Sequence, residues 1–125
     1  VFHPTDEIAI SEQQTAFAKF APCFEGRLKE NGTGFCAGTR LSFADVILVE
    51  ALSSYLEWIP DILEPTPLLK ALNETVLSHP GIKAYLTSDL RYPKPDNTCV
   101  IDIARVLQRP LPSHFSDPNQ FVTPS

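Results

Sequence analysis

The chain has 125 residues, 43% hydrophobic and 20% charged, enough for one globular domain and short of two. A net charge of −5, with ten scattered Lys and Arg, excludes a basic footprint for nucleic acid or for an anionic membrane surface. No apolar run reaches the ~18 residues of a membrane span, and "VFHPTDE" lacks the basic start and apolar stretch of a signal peptide.

The periodicity is helical almost throughout. The first helix is expected after Pro4-Thr5, with Thr5 as cap and Asp6 and Glu7 at the positive end of the helix dipole. Ile10, Phe17, Phe20, Phe24 and Leu28 recur at helical spacings. Pro22 interrupts the donor ladder and predicts a kink. Asn31-Gly32 tolerates the left-handed conformation and ends the helix. "TGFCAGTR" reads as a loop. A second helix is expected from Phe43 to about Leu56. It is apolar nearly all round, with Glu50 as the charge in its body, and so belongs at the centre of the core.

"EPTPLLKALNETVLSHPGIKAYL" reads as two short helices. Thr66 caps the first and Pro67 opens it, with Leu68, Leu69, Leu72 and Val76 as its buried stripe. His79-Pro80-Gly81 opens the next, followed by Ile82, Tyr85 and Leu86. "TSDLRYPKPDN" is a connector. A last amphipathic helix from Thr98 to about Gln108, capped by Asn97 or Asp96, buries Val100, Ile101, Ala104 and Leu107. Residues 1–109 are expected to form the domain, and the Pro-rich 110–125 a flexible tail. The fold class is all-α, an irregular bundle of about five helices around the Phe43–Leu56 helix.

Little reactive chemistry is concentrated anywhere. Cys23, Cys36 and Cys99 are odd in number and widely spaced, and His3, His79 and His114 are isolated. The pattern predicts reduced thiols in a cytoplasmic protein and no metal site. Glu50, Glu57, Asp61 and Glu64 around Trp58 read as a solvated rim. "LSFAD" contains Ser42 and Asp45. A nucleophilic serine needs a base, usually histidine, and none is near in sequence. The spacing fits a capping box instead: Ser42 accepts from the Asp45 N–H, and the Asp45 carboxylate accepts from the Ser42 N–H. Leu41 and Val46 would form the hydrophobic staple. No catalytic residue is expected from the residues themselves.

"PCFEGRLKENGTGFCAGTRLSFADVILVEALSSYLE", "PLLKALNETVLSHPGIKAYL" and "PKPD…IDIARVL" together resemble the all-helical C-terminal domain of cytosolic glutathione S-transferases, with the alpha class the nearest in pattern. The resemblance covers residues 17–107. It implies a detoxifying transferase with glutathione as co-substrate, joined to electrophiles in a hydrophobic site, and no cofactor held in this chain. It also implies an N-terminal thioredoxin-like domain that ionises the glutathione thiol. These 125 residues contain no βαβ pattern for such a domain, and no Met, so the expectation is a truncated piece or short isoform, inactive alone. By position, Lys19 falls where the alpha class has an arginine reaching the glutathione of the partner subunit in a homo- or heterodimer. A lysine keeps the charge without the bidentate fork. Ile101, Ala104 and Gln108 fall at positions lining the hydrophobic electrophile site, with Gln108 replacing an aromatic residue. The alternative is a non-enzymatic interaction or structural module of the same fold.

Overall fold

The computed structural model describes residues 6–93 and 97–110. Five helices are formed: α1 (Asp6–Asn31), α2 (Phe43–Trp58), α3 (Pro67–Leu77), α4 (Pro80–Leu86) and α5 (Asn97–Val106). No strand occurs among the described residues, in accord with the all-α expectation. Thr5, Asp96 and residues 111–125 of the expected tail lie outside the described residues. No described helix is long and apolar enough to cross a membrane.

The chain divides into two compact units. One is Ile10–Arg91; the other draws on both chain ends, with residues 6–9, 92, 93 and 97–110 described. In the larger unit the core is built from α1 (Phe17, Ala21, Leu28), α2 (Leu48, Val49, Leu52), the Ile59–Leu63 turn and α3 (Leu69, Leu72, Val76). Each Phe, Leu, Ile or Val side chain among these contributes about 1.5–3 kcal/mol by leaving water. Phe17 meets Tyr55 edge to face, with ring centroids 5.6 Å apart. In the smaller unit, Ala9 and Ala104 are buried.

α1 continues through Pro22 as one helix. It ends at Asn31, with Gly32 in the left-handed region at φ +68°. The Asn31 amide then stitches the following loop, donating to Thr33 Oγ1 (2.7 Å) and to the carbonyls of Phe35 and Gly38 (2.9 Å each).

Several sequence expectations are revised. Phe20 and Phe24 lie on the exposed side of α1, because Ala21 and Leu28 continue the inward line from Phe17. α2 is not buried all round: Leu48, Val49 and Leu52 face inward while Phe43, Ile47 and Trp58 remain exposed. On α3, Leu68 is exposed and Asn73 is buried beside Leu69, Leu72 and Val76. Thr66 occupies the N-cap of α3, but its hydroxyl donates to the Leu63 carbonyl. The Glu25 carboxylate of α1 caps α3 in its place, accepting from the Leu68 and Leu69 N–H groups at 2.9 Å each. α5 begins one residue earlier than expected and ends two earlier. Leu107 is exposed beyond it, not buried.

Candidate functional site

A buried, hydrogen-bonded polar cluster lies at the start of α2. The loop carrying Cys36 is pinned by Asn31, so that Cys36 reaches the first turn of the helix. Asp45 is completely buried. Its Oδ2 accepts from the Ser42 N–H (2.8 Å) and the Ser42 hydroxyl (2.9 Å), and its Oδ1 from the Cys36 N–H (2.7 Å). The capping box is therefore present, the Ser42 side chain facing the Asp45 N–H and the Asp45 carboxylate accepting from the Ser42 N–H. Leu41 and Val46, the expected staple, both pack partly buried on the core.

This cluster is built against chemistry. Burial acts to raise the Asp45 pKa, but hydrogen bonds from Cys36 and Ser42 outweigh it and hold the carboxyl below its usual value. A carboxylate so stabilised is a poor base, and no described histidine completes a triad with Ser42. Beside it, the Cys36 thiol is pushed up to about 11, by burial first and then by its hydrogen bond and charge repulsion with Asp45. It stays protonated near neutrality and is a weak nucleophile. Ser42 and Asp45 spend their polar atoms on each other and on the Cys36 N–H at the start of α2. The part played by Cys36 was not legible, because its partner lies nine residues away across a loop.

Lys19 projects from the exposed side of α1. Its Nζ lies 5.3 Å from the centroid of the Phe20 ring, a cation–π arrangement, and no carboxylate pairs with it among the described residues. On α5, Ala104 is buried, Ile101 is half-buried, and Gln108 lies just past the helix end, exposed at φ +51°. A hollow of about 590 Å³ runs along α5. It is lined by Cys99, Asp102, Ile103, Val106 and Leu107, and Ile101, Ala104 and Gln108 are not among its walls. No group of three or more potential metal ligands occurs among the described residues.

With this geometry in hand, comparison with known proteins gives the class. The family model for the glutathione S-transferase C-terminal domain matches residues 4–89. The chain belongs to the glutathione S-transferase family, as its C-terminal helical domain. Among its relatives, a glutathione S-transferase of Antechinus stuartii is 38% identical over 92 residues, 73% of this chain and 42% of that protein. Glutathione S-transferase A3 of Mus musculus is 40% identical over 83 residues, 66% of this chain and 38% of that protein. Glutathione S-transferase P 1 of Bufo bufo is 42% identical over 76 residues, 59% of this chain and 36% of that protein. The chain thus spans about two fifths of the length of the curated relatives it matches.

Proposed function

We propose that this chain is the hydrophobic-substrate half of a glutathione transferase and is catalytically silent alone. The observation that carries the reading is the family match over residues 4–89. In this reading a glutathione-binding domain, not contained in these 125 residues, supplies and ionises the thiol. The helical bundle holds the apolar electrophile, and the natural setting is a cytoplasmic dimer with another transferase subunit. Lys19 is free to reach an anionic group on a partner, as a point charge and not as a fork. Ile101, Ala104 and Gln108 are proposed on the electrophile side, with the polar Gln108 loosening the apolar closure. Residues 1–109 act as the domain and 110–125 as an appendage to it.

The test is direct. The purified 125-residue chain, given glutathione and a chromogenic aryl halide, should show no turnover above the uncatalysed rate. Measurable catalysis by the chain alone would overturn the proposal. A second reading, an interaction module of the same fold, draws on the exposed apolar residues Phe20 and Phe24 of α1 and Phe43 and Ile47 of α2. The coding sequence upstream discriminates: an in-frame thioredoxin-like domain supports the transferase half, and its absence supports the module.

A further inference from the structure

A second cavity has no place in the reading above. A groove of about 470 Å³ runs between α1 and the Ile59–Thr66 segment. Its walls are mainly apolar: Phe17, Ala18 and Pro22 on one side, Ile59 and Ile62 on the other. Its size is in the range of small-molecule sites.

The polar groups on its walls are nearly all acceptors. Asp61 carries the groove's one formal charge; it is exposed and has no ion-pair partner among the described residues. Pro22 has no N–H, so the carbonyl of Ala18, four residues earlier, lacks its normal helical donor. Both residues line the groove. The Thr66 hydroxyl spends its proton on the Leu63 carbonyl and has only lone pairs to offer. Ile59, on the opposite wall, is the C-cap of α2, where the helix dipole is negative. Against these stands one side-chain donor with protons to offer, the Gln14 amide, and no Lys or Arg lines the groove.

We propose that this groove binds organic cations: compact apolar bodies of roughly ten to fifteen heavy atoms bearing one ammonium group. The body packs on Phe17, Pro22, Ile59 and Ile62, and the ammonium donates to the Asp61 carboxylate and the Ala18 carbonyl. An anion of the same shape meets a carboxylate and further acceptors, and is rejected.

The experiment titrates the 125-residue chain with (2-naphthylmethyl)ammonium and, separately, with 2-naphthoate, following backbone amide resonances by NMR. The cation should shift amides in Gln14–Ala21 and Ile59–Thr66 and bind about tenfold more tightly than the anion. Asp61→Asn, at an exposed position, should weaken the cation roughly fivefold and spare the anion. Ala18→Phe, also at an exposed helix position, should fill the groove and abolish binding. Equal affinity for the two probes, shifts confined elsewhere, or unchanged binding in Ala18→Phe would each overturn the proposal.

Discussion

At the scale of the residue, Asp45 and Cys36 define how stability responds to pH. Asp45 has a lowered pKa in the fold, so its contribution is present above the unfolded value, about 3.9, and is lost as pH falls through the folded value. Cys36 is the reverse case. Its thiol is raised to about 11 from 9.0, so its contribution is full below 9.0 and is lost as pH rises toward 11. We expect a urea-unfolding profile with a plateau between these limits and a fall on either side. Asp45→Asn should lower the plateau by roughly 1.5–3 kcal/mol and remove most of the acid limb, because an amide cannot accept all three hydrogen bonds and carries no charge. Cys36→Ala should move the onset of the alkaline limb upward. A flat acid limb in the unaltered chain would contradict the role given to Asp45.

At the scale of the element, α2 separates what is legible in a sequence from what is not. Its start was readable because a capping box is local: Ser42 and Asp45 sit three residues apart and the geometry follows from the spacing. Which side it buries was not readable. Phe43 and Ile47 are as apolar as Leu48 and Leu52, and periodicity cannot choose between two apolar faces. The structure chooses by connectivity, laying α3 against one side. Leu48→Ala should therefore cost roughly 2–5 kcal/mol. Phe43→Ser, at a residue 79% exposed, should stay within about 0.5 kcal/mol of the parent. Thermal denaturation of the two variants tests this; equal losses would mean the helix is buried on both sides. The candidate site residues differ in the same way. Ser42 and Asp45 were legible from spacing, whereas the groove beside Pro22 depends on a segment forty residues away that spacing cannot bring near.

At the scale of the whole molecule, Glu25 joins distant parts of the chain. Its carboxylate takes two N–H groups at the start of α3 that would otherwise lack partners, and an anion there also complements the helix dipole. In sequence Glu25 is one more acid on a polar side of a helix, and Thr66-Pro67 looks like a complete start signal without it. Glu25→Ala should lower stability by roughly 1–2 kcal/mol, as measured by urea unfolding. Glu25→Gln, which keeps an oxygen but no charge, should lose less. No loss in either variant would return the capping role to Thr66.

The same link makes α3 a reporter on α1. The Leu68 and Leu69 amides are protected by a side chain 43 and 44 residues earlier, not by their own helix. Their hydrogens can exchange with solvent when α1 lifts away, even while α3 stays wound. Deuterium uptake at these two positions thus clocks the undocking of α1, and any ligand that clamps α1 in place should slow it at both amides together.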